Sequence, residues 1–385
     1  MKKIKIVRAN RGFWRDLFSV QFKNFSFVNE KISSTEDIVK NSKSLAWKIS
    51  RLRILDFLGI FQVVKIKPFD NFDYVFSYNR FVKTDKPYVV AVENPSAMVH
   101  YSFLRSKSFL GRYNLKKVFN NTNIKAFCCM SKACESTMRY YYDIPESVEL
   151  YQIYPYIKDE ISQNEMKMKV MNNTVNCLFI SSDFNLKGGN ELLYALKTNR
   201  LTEDDRIHVD IITKVEYLNN DIIEEIRRCK NISLYDFKFT KDELNGFYKK
   251  ANILINMTRM DSFSLVTLEA LKYGCAFIST DMYAIREMVH NEKNGFLTHP
   301  SVSLWNIDNT RNMKVSKKEK TRLNEAYVDK RIGDFLAEKL LVLINDKQRL
   351  IRMQQESYNI SQTEFSCMYI KRKWEEVFES MKEEV

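Results

Sequence analysis

Asp261 and Glu269 are two carboxylates with seven residues between them, on a stretch that follows an apolar run at residues 251–256. A run of that kind suits a strand, so the pair belongs at a strand's carboxyl end, where open α/β sheets bind ligands. Ser262 and Ser264 are small and polar, and they open a helical pattern over residues 265–273. The first amides of a helix lack internal partners and face outward with the positive end of the dipole, which makes an anion site. Carboxylates beside such a site accept hydrogen bonds from vicinal sugar hydroxyls. Together they suit a sugar diphosphate. The same residues equally fit an N-capped helix followed by a buried strand, and spacing alone leaves both readings open.

The elements that must position these residues alternate along the chain. Short β-branched or aromatic runs at 3–8, 63–66, 74–77, 88–92 and 125–130, then at 175–181, 208–213, 232–235, 251–256 and 275–279, predict strands. Helical stretches at 190–197, 218–229 and 264–273 lie between the later ones, as in parallel sheets wrapped by helices. The polar, lysine-bearing stretch 159–173 is the expected boundary between two α/β units, giving domains at 1–160 and 170–365. From residue 332 the pattern is helical, with 333–345 and a last helix, 365–381, that places Met368, Trp374, Val377 and Phe378 among charges. The lysine run at 314–320 reads as a solvated loop or helix face, and no repeat of fixed period occurs.

A chain of 385 residues, 45% apolar and 13% aromatic, can bury two cores. Nine glycines and six prolines exclude a low-complexity or collagen-like chain. No uncharged apolar run reaches the length of about 18 residues that a membrane span needs, and the amino terminus runs into Arg8, Arg11 and Arg15 rather than a signal-peptide core; a cytoplasmic location is expected. Seven cysteines, mostly in strand-like runs, read as buried thiols. Four histidines without ligand spacing give a metal-centred mechanism no support. Residues 1–160 hold 27 Lys+Arg against 15 Asp+Glu, whereas residues 161–385 hold 34 against 33, so the net charge of +13 belongs almost wholly to the first half. A one-sided basic surface attracts an anionic partner or merely favours solubility.

The stretch from Met257 to Asp281 resembles the donor-binding segment of retaining glycosyltransferases of family 4. Asp261 and Glu269 keep that family's acidic spacing, Phe263 and Leu265 match its Phe and following apolar residue, and Glu269-Ala-Leu-Lys-Tyr-Gly274 is similar to its Glu-Ala-Met-Ala-x-Gly. Downstream, Arg286-Glu287-Met-Val and Asn294-Gly295-Phe-Leu resemble the usual ending. Upstream, residues 178–196, with Lys187-Gly188-Gly189, resemble the strand, Lys-Gly turn and helix after the interdomain linker. The resemblance covers residues 120–385 well and 1–119 only in element order. It implies an α/β protein of GT-B fold: two Rossmann-like domains facing across a cleft, with the carboxyl-terminal helix, 366–385, returning to the first.

By that resemblance the donor is a nucleoside diphosphate sugar and no cofactor or metal is needed. Lys187 and Gly188 would meet the diphosphate together with the amides at Ser264, Leu265 and Val266, beside Ser262 and Phe263. Asp261 would face the sugar ring, Glu269 would grip the ribose, and backbone near Phe239 would hold the base. In the first domain, Glu93 stands where the family often places a histidine, to bind or deprotonate the acceptor hydroxyl or else to cap its loop. Asn94 and His100 follow on the acceptor side, and the usual glycine-rich loop is reduced to Arg11-Gly12. Departures are Asp261 for the usual Glu, Ser262 and Ser264 for glycines, Ser182 for the arginine that partners the lysine, and Gly274-Cys-Ala-Phe for Gly-x-Pro-Val.

The expected reaction is hexose transfer to a saccharide acceptor, lipid-linked, in cell-surface polysaccharide biosynthesis, with retention of configuration. Trp47, Ile54, Leu58 and Phe61 form one apolar stripe, with Leu45, Ile49 and Leu52 opposite and Lys48, Arg51 and Arg53 between, and residues 101–120 add Phe103, Arg105, Lys107, Phe109, Arg112, Lys116 and Lys117. These suit peripheral docking on an anionic inner leaflet, or simply core packing. A nucleic-acid-binding protein would explain the charge but lacks any RRM, KH, zinc-finger or basic-zipper signature. A catalytically silent GT-B subunit, scaffold for an active partner, is the alternative that the departures favour.

Overall fold

A computed structural model describes residues 1–9, 11–28, 52–61, 63–66, 71–121, 123–169, 174–315 and 327–382. The chain divides into two compact units, Met1–Ile157 with Cys367–Val385, and Lys158–Ser366.

In the first unit, β1 (Lys2–Val7), β2 (Phe25–Val28), β4 (Tyr74–Tyr78), β6 (Tyr88–Val92), β7 (Ile124–Cys129) and β8 (Glu149–Gln152) form a sheet in the order β2-β1-β4-β6-β7-β8. Every pairing is parallel. β3 (Val63–Lys65) and β5 (Phe81–Lys83) pair separately. Every residue of β4 and β6 is buried, as continuous runs such as Tyr-Val-Val-Ala-Val require when helices cover both faces. The carboxyl-terminal helix, Cys367–Ser380, belongs to this unit: Trp374 lies edge-on to Trp14 at 6.4 Å and tilted against Phe76 at 5.4 Å.

The second unit contains β9 (Val175–Ser181), β10 (Ile207–Thr213), β11 (Ile232–Asp236), β12 (Ile253–Asn256), β13 (Ala276–Thr280) and β14 (Gly295–Thr298), in the order β11-β10-β9-β12-β13-β14. These pairings too are all parallel. The chain steps outward from β9 to β11 and then crosses back to place β12 on the other side of β9. The junction of β9 and β12 is therefore a topological switch point, where the loops at the strand ends diverge and leave a crevice. Phe179, Ile211, Ile255 and Ile278 from the sheet meet Leu336 and Leu340 of helix Lys330–Asn345 in the core.

Expected strands match observed ones except at the sheet periphery. β2, β8 and β14, at or next to the sheet edges, and β5, in the small sheet, escape detection because they are short and mix polar with apolar residues. Of the expected polar boundary, residues 163–169 form a helix, and the buried ammonium of Lys169 donates to the carbonyls of Tyr248 and Tyr273 at 3.1 and 2.6 Å. Burial pulls its pKa down. Lys272 is also buried and donates to Asp159 Oδ1 and to the carbonyl of Phe365, both at 2.5 Å. Five of the seven cysteines are buried. Among the described residues no helix is long and apolar enough to cross a membrane.

Of the expected apolar stripe, Leu45, Trp47, Lys48, Ile49 and Arg51 lie outside the described residues. The rest does not form one helix. Helix Arg53–Leu58 ends at Gly59, whose φ of 60° suits glycine, and Phe61 lies beyond that break.

Candidate active site

Lys187 and Asp261 meet at the switch point. β9 ends at Ser181, and the chain turns through Lys187 and Gly188 into helix Gly189–Thr198. Gly188 has φ 86°, and a Cβ there would come within 2.5 Å of the Cβ of Met257, so the turn and the loop after β12 touch backbone to backbone only because no side chain intervenes. That loop carries Asp261 into helix Leu265–Lys272. Lys187 Nζ donates to Asp261 Oδ2 at 2.5 Å and to the carbonyl of Met260 at 3.1 Å. Asp261 Oδ1 accepts from the amides of Ser262 at 2.9 Å and Ser264 at 3.2 Å. The indole of Trp305, stacked on Tyr283 at 4.3 Å, donates to the carbonyl of Asp261 at 2.9 Å.

Two loop amides, one of them the Ser264 amide expected to face an anionic ligand, are thus already taken by the loop's own carboxylate. The geometry is that of an anion cradle, since a carboxylate sits where backbone N–H groups converge beside a cation. Ser264 adopts φ 65°, ψ 74°, a left-handed conformation that favours glycine and costs a side-chain-bearing residue about 1–2 kcal/mol. Its hydroxyl turns inward, 3.0 Å from Asn256 Nδ2 and 2.8 Å from Thr267 Oγ1. The amide of Ser264, not its hydroxyl, faces the cradle. Phe263 is buried as well, which makes its ring part of the core. Leu265 and Val266 are half-buried and supply the first two helix amides.

One turn into the helix, Glu269 Oε2 accepts from the hydroxyl of Tyr248 at 2.7 Å. Tyr248 stacks on Tyr273, and burial first, then the neighbouring Glu269 charge, push its pKa well up, so it stays a proton donor. Phe239 is half-buried against Phe247 at 5.0 Å and Tyr235 at 5.9 Å.

A buried ion pair that sequence reasoning missed supports this site. Arg259 pairs with Glu191 with both side chains essentially inaccessible, and also donates to the carbonyls of Asn185 at 2.6 Å and Tyr327 at 3.0 Å. Glu191 in turn accepts from the amide of Asp329 at 2.6 Å. One guanidinium so joins the Lys187 turn, the Asp261 loop and residues 327–329. Burial raises the Glu191 pKa, with Arg259 opposing. Ser182, expected to replace an arginine, is exposed.

In the first unit the strand ends gather a different cluster. Glu93 follows β6 and is buried; it accepts from the hydroxyl of Tyr78, the last residue of β4, and from Arg11 Nη1 at 3.3 Å. Its amide donates to Asn79 Oδ1 at 3.1 Å. Burial first, then the Glu93 charge, push Tyr78 well above the ordinary phenol range. Arg11 pairs with Glu93, and it and Gly12 lead into the short helix Trp14–Phe18, with open space around Gly12. Asn94, expected on the acceptor side, caps helix Pro95–Met98 by accepting from the amide of Ser96 at 3.0 Å and its hydroxyl at 2.6 Å. His100 lies just past that helix, half-buried, with φ 53°. Among the described residues no group of three His, Cys, Asp or Glu side chains is placed to hold a metal ion.

Comparison with known proteins bears on this geometry. Residues 174–304, which hold both Lys187 and the Asp261 loop, match the family model of Glycosyl transferases group 1. No curated protein matches the chain by sequence. Similar solved structures include the Anabaena protein HepE in complex with UDP and glucose, at 13% identity and TM-score 0.59, the match covering 99% of this chain and 100% of that one. A glycosyltransferase from Rickettsia africae matches at 15% identity and TM-score 0.56, over 99% of both chains. The fold is GT-B. A sucrose-phosphate synthase from Thermosynechococcus elongatus shares this GT-B architecture at 11% identity and TM-score 0.54, over 80% of this chain and 74% of its own.

Proposed function

We propose that the protein is a glycosyltransferase that moves a hexose from a nucleoside diphosphate sugar to a saccharide acceptor with retention of configuration. One observation carries the proposal: the Lys187–Asp261 pair beside converging loop amides at the switch point of the second unit, inside the stretch similar to group 1 glycosyl transferases. A diphosphate arriving there would exchange places with the Asp261 carboxylate. Lys187 and the amides of Ser264, Leu265 and Val266 then offset the charge that gathers on the departing diphosphate as its bond to the sugar C1 breaks. The freed Asp261 faces the positive charge growing on the ring, and Glu269 binds the ribose hydroxyls. Fixed donors of this kind need no divalent ion. Glu93, oriented by Tyr78 and Arg11, is assigned the acceptor hydroxyl and takes its proton as that oxygen bonds to C1 and the bond from C1 to the diphosphate breaks.

UDP-glucose is the first donor to try, since HepE is described with UDP and glucose. In this reading the acceptor is lipid-linked and the pathway builds cell-surface polysaccharide from the cytoplasmic leaflet, a reading favoured by the cationic first half of the chain. Thermal shift against UDP-, GDP- and ADP-sugars tests the donor. A donor at 100 times its dissociation constant stabilises by about 2.7 kcal/mol, and no shift with any of them would overturn the proposal. The self-satisfied Asp261 also fits a silent scaffold subunit; measurable sugar-nucleotide hydrolysis decides against that.

A further inference from the structure

Two short helices of the first unit bury a charged group and expose apolar side chains, and a third, longer helix adds exposed rings at its start. Helix Arg53–Leu58 keeps the carboxylate of Asp56 buried, while Ile54 and Phe57 of the same helix are 64% and 70% exposed. Helix Leu104–Lys107 buries the guanidinium of Arg105, which donates to Asp56 Oδ1 from Nη2 at 2.8 Å and from Nε at 3.1 Å, and leaves Leu104 exposed. Helix Phe109–Asn121 opens with Phe109, 87% exposed, and also presents Tyr113. Ordinary burial would place these rings within and the ion pair at the rim.

The platform is stiff. Ser102 and Ser108 hydroxyls bond Asp56 at 2.8 and 3.1 Å, and Asn114 donates to the carbonyl of Gly59 at 3.0 Å. Gly59 abuts Gly111 so closely that a Cβ on Gly59 would lie 2.2 Å from the Cα of Gly111. The exposed apolar side chains are therefore presented by a fixed frame rather than by a loosely packed one.

The segment that carries the second and third helices has charge of a single sign. Between Glu93 and Glu135 the sequence contains seven Lys or Arg and no Asp or Glu. Arg105, expected on the surface, is instead buried against Asp56, whereas Arg112, Lys116 and Lys117 are exposed on the third helix. A cavity of about 370 Å³ adjoins them, lined by Ile60, Phe61, Val63 and Val118, with Lys83 and Lys117 among its walls. Apolar rings ringed by cations, beside an apolar cavity with cationic walls, complement a surface that is negative at the headgroup level and hydrocarbon beneath.

We propose that these three helices are a docking surface for an anionic phospholipid membrane, with Phe57 and Phe109 entering the interface and Arg112, Lys116 and Lys117 meeting headgroups. The inference deepens the inner-leaflet reading given above and is independent of the donor site.

Co-sedimentation of the full chain with vesicles of phosphatidylcholine alone or with one-third phosphatidylglycerol tests it. Binding to the anionic vesicles, at least tenfold stronger than to neutral ones and weakened by salt, is expected. The F57S/F109S variant should lose at least tenfold in partitioning, and each of R112Q, K116Q and K117Q about fivefold. All five side chains are exposed, so unfolding midpoints and the thermal shift with UDP-sugar should stay as in the parent. Equal recovery with both vesicle types overturns the proposal, as does a self-association that F57S/F109S abolishes without any vesicle binding, which would make a second copy the occupant. Loss of the UDP-sugar shift with vesicle binding intact would instead count against the donor assignment alone.

Discussion

Glu93 and Asp261 occupy equivalent places, each just beyond the fourth strand in its sheet order, yet they are held in opposite ways. Asp261 is held locally, by two amides of its own loop and by Lys187 from the neighbouring strand's turn, and both side chains of that pair keep some solvent contact, 17% and 23%. Glu93 is held from afar, by a buried phenol on β4 and by Arg11 after β1. A carboxylate that fills its own amide cradle can yield to an incoming anion. One fixed by a buried tyrosine cannot, and is suited to meet a neutral hydroxyl. Position in the topology selects where an acid stands, and its partners select what it can exchange for.

The contrast is tested first where the donor loop is most dependent on its support. Arg259→Met leaves Glu191 buried without its cation and should cost about 3–5 kcal/mol in urea unfolding, with loss of the donor thermal shift. Tyr78→Phe, the matching lesion in the first unit, should cost about 1 kcal/mol and leave that shift intact. Next come the chemical groups. Lys187→Ala should lower kcat/KM about 100- to 1000-fold together with donor binding, whereas Glu93→Gln should lower kcat about 100-fold or more with the donor shift unchanged. Equal effects on donor binding would erase the distinction.

A smaller effect separates strain from hydrogen bonding at Ser264. Ser264→Ala and Ser264→Gly lose the same bonds to Asn256 and Thr267, but only glycine relieves the positive φ. The glycine variant should be the more stable of the two by about 1 kcal/mol in urea unfolding. Smallest is a pH effect. Because folding raises the Tyr78 pKa, its contribution to stability is complete below the ordinary phenol value near 10 and is lost as pH rises through the higher folded value. Tyr78→Phe should therefore show a shallower loss of stability above about pH 10 than the parent, read from unfolding midpoints at pH 8 and 10.5.

Central strands were legible because burial on both faces forces continuous apolar runs: Tyr88–Val92 and Val175–Ser181 were expected with the bounds observed. Edge strands such as Glu149–Gln152 carry no such run. Lys187, Asp261 and Glu269 were visible as residues with a motif around them, but the partners they take in the absence of a ligand were not. Arg259 shows why. It stands two residues from Asp261 in the same motif, and nothing in the local pattern reveals that it is buried against Glu191, 68 residues earlier. Long-range pairing of charges leaves no periodicity to read. Asn94 shows the converse, since an Asn before Pro signals a helix start, and the cap is what the structure contains.

Lys272 joins Asp159 to Phe365, one residue after the second unit begins and one before it ends. Entry and exit of that unit are fastened at a single nitrogen, so the unit is a cassette whose two ends leave from one point. A block exchanged at residues 158 and 366 would therefore need no long tether to bridge the seam.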